Sequence, residues 1–524
     1  MPPAVKAGGT SAGAGVAGRG PANPDNGSME KLREALMKAD YTVDGVLEVL
    51  GPLAYAALAR SESVPALRAT GGGSPVETLI RLFLLQQAVD RAAVEAALPV
   101  ADCLAAGLVV ADGGRLRAAL DIRPYGDDDG HDWYLVSDLS GGLHAQGQGH
   151  PVREDHVLGV GGASTTLAQL TIRDRFGSAL DVGTGGGVQA LHLSTHVGRV
   201  VGTDRNPRAL KLAALTQRLS GVEPFDLREG SLFEPVAGEK FDLIVSNPPF
   251  VISPDNAAQG GRFVYRDSGL PADEVCRRLV ADAHQHLAEN GWCQVLANWL
   301  HVDGVDWRER VAGWVRDTGC DAWVVQREAQ DPAEYVELWL RDSGEYGTPD
   351  YPRRYDAWLD YFEQNKVGAI GFGWITLHQA GSDHPLLRLE EISHPVEQPL
   401  GPHIPSWFAR HDFLRDVDDE ELMGRRLAVA PDVRWEQVAR PTYEQGSGWG
   451  GDSSRISQTE GFMRSADIDP IGAAVVGAAD GETPLGEILD AVGERYGIDA
   501  RSLRGGAIEA IRGLVEDGYL FPVG

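Results

Sequence analysis

The sequence predicts an α/β protein: a doubly wound, mostly parallel sheet flanked by helical, winged-helix-like N- and C-terminal domains. Three observations predict it. Apolar runs alternate with amphipathic segments between residues 178 and 330, the pattern of parallel strands joined by crossover helices. One strand–helix junction is a glycine turn, Asp181-Val182-Gly183-Thr184-Gly185-Gly186-Gly187. Another apolar run stops at Asn247-Pro248-Pro249-Phe250, where two prolines fix the backbone and remove two donors, so neither sheet nor helix continues.

The elements follow in order. Residues 1–28 are rich in Gly, Ala and Pro without an apolar stretch and read as a disordered tail. Residues 29–150 form an N-terminal helical, winged-helix-like domain. Its helix over 75–98 carries Ser74 as N-cap and Pro75 at the first turn, and a hairpin turns at Asp112-Gly113-Gly114. Residues 151–395 form the central domain. Its strands are "SALDV", "RVVGTD", "FDLRE", "KFDLIVS", "WCQVLANWLH", "DAWVVQRE" and "VGAIGFGWITLHQ", with a helix before the fifth closed by Gly291. A strand/loop linker spans 396–465, and a second winged-helix-like unit spans 466–524.

With 524 residues the chain exceeds one core. No apolar run is long enough to span a membrane, and four scattered cysteines suggest a reducing, cytoplasmic setting. His192 and His196 sit four apart, but Leu193 stands where a metalloprotease glutamate would be, so no metal is expected. The net charge of −29 argues against tight nonspecific nucleic-acid binding, although it says nothing of a local basic patch.

The chemistry lies at the strand ends. Gly183, Gly185 and Gly187 let a backbone approach a ligand at a helix N-terminus, and a carboxylate just before them, Asp181, suits an ammonium group. Asp204 ends the next strand, where an acid accepts from ribose hydroxyls. The turn alone is ambiguous, because Gly185, Gly187 and Ala190 also satisfy a loose dinucleotide pattern. Asn247-Pro248-Pro249-Phe250 at the end of the fourth strand decides the matter.

Together these residues resemble the class I S-adenosylmethionine-dependent methyltransferases, and more narrowly the small-domain amino methyltransferases, over roughly residues 155–300. The resemblance implies a seven-stranded sheet of order 3-2-1-4-5-7-6, its last inserted strand antiparallel. It implies S-adenosyl-L-methionine as cofactor, held by Asp181, Gly183, Gly185, Gly187, Asp204, Ser231, Leu232 and Asn247. Many relatives have an acid where Ser231 stands. The methyl acceptor is a conjugated NH₂ group, whose lone pair is delocalised and therefore a poor nucleophile. The Asn247 side-chain oxygen and the Pro248 carbonyl each accept one N–H, favouring a pyramidal nitrogen, while Phe250 supplies a flat face and Pro249 stiffens the turn. Tyr265 and Arg266 are candidates for the substrate entrance.

The favoured acceptor is an RNA base amine. A Pro-Arg-x-x-Thr segment is missing from Val157–Leu170, and Phe250 stands where release-factor enzymes commonly have Tyr. The alternatives are a glutamine amide in a translation protein, a small-molecule or peptide amine, and a scaffold without catalysis. A macromolecular partner, RNA or a translation protein, is expected.

Overall fold

The computed structural model describes residues 26–139, 153–254, 270–442 and 448–523. Tyr265 and Arg266 lie outside these, as does all of the 1–28 tail except its last three residues, which begin the helix Asn26–Lys38. The chain divides into two compact units. One holds the chain to Gly159 with Gly185–Gly187 and Asn206–Pro224, and the other holds the remainder. This division is coarser than the segmentation at 150, 395 and 465.

In the first unit, the helix Val43–Leu58 is capped by Thr42 and kinked at Gly51-Pro52. Ser74 and Glu77 form a reciprocal capping box at the helix Pro75–Leu79. That helix does not run to residue 98. It passes into a π-turn over Ile80–Leu84 and breaks at Gln86, whose φ is 53°, before the helix Arg91–Ala97. The hairpin Val109–Asp112/Arg115–Ala118 turns where the glycines predicted. A second hairpin, Asp121–Gly126/Asp132–Ser137, would leave an open edge; Ser220 and Thr216, one turn apart on the helix Pro207–Ser220, accept from the main-chain N–H of Tyr134 and Val136.

The second unit is built on the sheet. Its strands are β1 (Phe176–Val182), β2 (Val197–Asp204), β3 (Asp226–Glu229), β4 (Phe241–Ser246), β5 (Leu287–Val302), β6 (Asp321–Gln330), β7 (Val367–His378) and β8 (Leu387–Glu391). Their spatial order is β3-β2-β1-β4-β5-β7-β6-β8. β3 through β5 are parallel in that order, and β7 is antiparallel to both β5 and β6. The expected seven-strand order is present, with an eighth strand added beside β6. β1 and β4 read as unbroken apolar runs because helices cover both faces of such a sheet.

Gly291 is not a helix cap. The helix Glu274–Ala283 ends earlier, with a 3₁₀ turn to His286. Gly291 lies inside β5, where a Cβ would come within 3.0 Å of the Phe241 carbonyl oxygen. Gly371 and Gly373 in β7 make room for the Trp299 indole, which crosses the strand to donate to Gln326 Oε1 at 2.9 Å.

The region read as a linker over 396–465 contains the helix His403–Asp416. It stacks Trp407 on Trp323 at 3.9 Å between centroids, with planes 3° apart. The strand Arg426–Val429 is the middle of a three-stranded sheet with Asp480–Pro484 and Leu520–Val523, so the C-terminal fold takes an element from before residue 466.

Candidate active site

Three adjacent parallel strands, β4, β1 and β2, place the candidate residues. Val182 pairs with Ser246 on one side and with Thr203 on the other. The residues that follow, Gly183, Asn247 and Asp204, therefore stand level at the carboxyl edge of the sheet. In open α/β sheets ligands bind at this edge where strand order reverses, here between β1 and β4.

Asp181 is 1% exposed and accepts from Thr184 Oγ1 at 2.6 Å. Burial raises its carboxyl to about 7; the Thr184 bond opposes that rise, and the charge of Asp204 adds to it. Gly183, Gly185 and Gly187 have φ of 77°, 55° and 88°, the left-handed region that side chains avoid. A Cβ at Gly183 or Gly185 would meet no other atom within 4 Å, so the turn keeps open space against its backbone. A cradle of bare main chain beside a carboxyl short of a cation fits the aminocarboxylate end of S-adenosylmethionine.

The loop after β3 is tied to the end of β2. Gly230 N donates to the Asp204 carbonyl at 3.0 Å, and Thr203 Oγ1 donates to the Leu232 carbonyl at 3.3 Å. Leu232 itself has a φ of 48°. Asp204, Ser231 and Leu232 are thereby brought to one place, and the Ser231 N–H is engaged by Glu234 at 3.3 Å.

Asn247 and Pro249 are half-buried and Pro248 is buried. Ser246 Oγ donates to the Val182 carbonyl at 2.7 Å and pins the start of the turn to β1. Asn247 Nδ2 donates to Ser164 Oγ at 3.4 Å. Ser164 belongs to the helix Gly162–Leu170, which Gln189 holds by donating to the Ser164 carbonyl at 2.8 Å. Buried Gln294 clamps the far end, accepting from Ile172 N and donating to the Leu170 carbonyl, both at 2.8 Å. Beyond the prolines, Phe250 meets Trp339 edge-on at 6.3 Å, and Ile252 N donates to Tyr335 Oη at 2.9 Å.

Ser164, Thr184, Gln189, Gln294 and Tyr335 were not singled out from the sequence. Thr184 lies inside the glycine motif and carried a local signal; the others act across 25 to 124 residues of chain and carried none. His192 lies in the last turn of the helix Val188–Leu193, with Nδ1 3.3 Å from an Arg173 nitrogen, and His196 lies beyond that helix, so the two do not share a helical face. Among the described residues no His, Cys, Asp or Glu cluster is arranged to hold a metal, and no helix is long and apolar enough to cross a membrane.

Comparison with known proteins bears on the same segment. Residues 159–302 match the methyltransferase small domain, 38–119 a domain of unknown function (DUF7059) and 405–522 another (DUF7782). A release factor glutamine methyltransferase of Geobacter sulfurreducens is 35% identical over 164 residues, 30% of this chain and 54% of the relative. A ribosomal protein uL3 glutamine methyltransferase of Xanthomonas campestris pv. campestris is 35% identical over 134 residues, 24% of this chain and 43% of the relative. The chain thus spans about half the length of these curated relatives. Among solved structures, a SAM-dependent methyltransferase from Thiobacillus denitrificans in complex with S-adenosyl-L-homocysteine is 16% identical, with a TM-score of 0.24, covering 42% of this chain and 91% of that one.

Proposed function

We propose, from the premise that residues 159–302 are a methyltransferase small domain of the class I type, that the chain is an S-adenosylmethionine-dependent N-methyltransferase whose acceptor is a glutamine side chain of a protein. The observation that carries the reading is the Asn247 amide, tethered by its NH₂ to Ser164 at the edge of β4, level with the glycine turn of β1. That tether leaves Asn247 Oδ1 and the Pro248 carbonyl as two acceptors for one incoming NH₂.

The cofactor, when bound, supplies an electrophilic methyl group on a sulfonium. The chain does the rest. Asp181 and the glycine turn receive the aminocarboxylate end, Asp204 the ribose, and the loop at Ser231–Leu232 the base. Asn247 and Pro248 draw the acceptor's hydrogens into a fixed plane, so its lone pair is directed away from the conjugated system. Phe250 lies along the acceptor's amide plane. Such preorganised dipoles act without reorganising during the reaction.

Glutamine displaces the RNA base amine favoured on sequence grounds for two reasons. The relatives above are named for glutamine in a release factor and in a ribosomal protein. The net charge of −29 opposes a polyanionic substrate.

The test is transfer of labelled methyl from the cofactor into an extract of the host lacking this gene, followed by protease or RNase. The expected result is label released by protease and recovered as N5-methylglutamine. Label confined to RNA, or recovered on another amino acid, overturns the acceptor. No transfer by a folded, cofactor-bound protein overturns the enzyme.

A further inference from the structure

The helix His403–Asp416, the turn after Arg426–Val429, the end of the strand Gly448–Gln458 and the turn before Leu520–Val523 line a half-open cavity of about 580 Å³. That volume is in the range of small-molecule sites, roughly 300–1,000 Å³. None of its lining residues belongs to the site on β1, β2 and β4.

Arg410 lies in its wall. Its Nε donates to the Glu516 carbonyl at 3.3 Å, and among the described residues it makes no ion pair. Burial, with the positive charge of Arg464, pushes its guanidinium down to about 10. Arg464 by contrast is committed to Glu390 at 2.7 Å and to Asp517 at 3.5 Å. Asp517 and Asp432 offset part of the lowering at Arg410 from beyond ion-pairing distance. A desolvated guanidinium without a close carboxylate is costly, and the planar fork of its terminal nitrogens matches one.

The remaining lining limits what that anion belongs to. The lining holds two guanidinium groups, Arg410 and Arg434, beside His403, and three carboxylates, Asp432, Glu460 and Asp517, so a phosphate dianion would meet more carboxylates than guanidinium groups. A monoanion whose other end is cationic satisfies both signs. Phe462 and Phe521 offer apolar surface for an aliphatic stem between the two ends.

We propose that this cavity binds a carboxylate joined by an aliphatic stem to an ammonium group, as in a lysine, free or at a chain terminus, with Arg410 holding the carboxylate and Asp432 facing the cation.

The experiment titrates the full chain, with S-adenosylhomocysteine present, against Nα-acetyl-lysine, its C-terminal amide, free lysine, Nα-acetyl-norleucine and inorganic phosphate. Nα-acetyl-lysine should bind saturably and its amide at least tenfold more weakly, about 1.4 kcal/mol. Free lysine binding more tightly than the acetylated form identifies a free amino acid, and the reverse a chain terminus. Arg410→Gln should abolish binding while cofactor affinity stays unchanged. Should that variant fail to fold, Asp432→Asn decides: Nα-acetyl-lysine weakens and Nα-acetyl-norleucine does not. Absence of saturable binding by any lysine probe, phosphate binding more tightly than all of them, or equal effects of Asp432→Asn on both acetylated probes overturns the proposal. Because cofactor binding is read in parallel, such a failure is separable from failure of the methyl-transfer reading.

Discussion

Asn247 Nδ2 and Ser164 Oγ are 3.4 Å apart, a hydrogen bond that joins the strand-ending proline turn to the helix in front of β1. An asparagine amide rotates easily by half a turn, and a flipped Asn247 would present a donor to an acceptor nitrogen that is itself a donor. In the orientation that donates to Ser164, Oδ1 is the end turned away from that bond.

Asn247→Ala should therefore lower kcat by at least about a hundredfold, the scale of losing one preorganised dipole, with cofactor affinity nearly unchanged. Ser164→Ala should cost less, about two- to tenfold in kcat, the worth of one neutral hydrogen bond. Ser164→Thr, which keeps the hydroxyl, should recover most of that. Rapid-quench single turnovers with cofactor binding measured alongside check both. A loss in cofactor affinity equal to the loss in rate would place Asn247 at the cofactor rather than at the acceptor.

Asp181 gives a pH dependence with a definite sign. Its folded carboxyl is raised to about 7 from an ordinary 3.8, chiefly by burial. Between those values the unfolded chain ionises first and binds fewer protons, so this group makes the free protein less stable as pH rises toward 7 and has no further effect above it. An ammonium ligand prefers the ionised form, so cofactor affinity should rise as pH climbs through about 7. Thr184→Val removes the bond that favours ionisation and should move that midpoint upward. Calorimetric titration with S-adenosylhomocysteine from about pH 6 to about pH 8, roughly one unit either side of the midpoint, provides the check; a flat profile would exclude Asp181 as the ammonium's partner.

Two glycines should fail for different reasons. Gly183 has open space beside it and a φ of 77°, so Gly183→Ala should cost about 1–2 kcal/mol of stability in backbone strain while weakening cofactor binding tenfold or more. Gly373 has none, because a Cβ there would lie 2.8 Å from the Trp299 ring and closer still to the Val325 carbonyl. Gly373→Ala should lose the fold and bring cofactor binding down with it. Thermal melts with and without S-adenosylhomocysteine separate the two, since the ligand should still raise the Tm of any correctly folded variant that binds it.

These contrasts show what a sequence carries. The strand ends were legible because buried parallel strands are continuous apolar runs and because glycines and prolines mark their exits at fixed positions. β8 was not, since Leu-Arg-Leu-Glu-Glu at a half-exposed sheet edge has neither that run nor β-branched residues. The helix His403–Asp416 was missed although Ile404, Trp407 and Phe408 stand at helical spacing; its charged residues obscured the stripe. The break at Gln86 had no signal, because its positive φ is imposed by packing on a residue that does not usually adopt it. Ser164 and Gln294 reach the site through contacts between elements far apart in the chain, which no local pattern records.

The last prediction concerns Tyr335, which is fully buried yet uses its hydroxyl twice. It accepts from Ile252 N at 2.9 Å and from Asn298 Nδ2 at 3.3 Å, so β5 and the helix Pro332–Asp342 together hold the chain just beyond Phe250. Tyr335→Phe keeps the ring and its packing against Phe362 and Phe372 but leaves the Ile252 N–H buried without an acceptor, a cost of about 1–3 kcal/mol. The segment can relieve that cost by shifting, and Phe250 then loses its fixed place beside Trp339. The variant should accordingly melt lower and show a larger rise in acceptor KM than fall in kcat, with cofactor affinity intact. A variant that loses stability but keeps its acceptor KM would show that Tyr335 serves the core alone and that Phe250 holds its position without it.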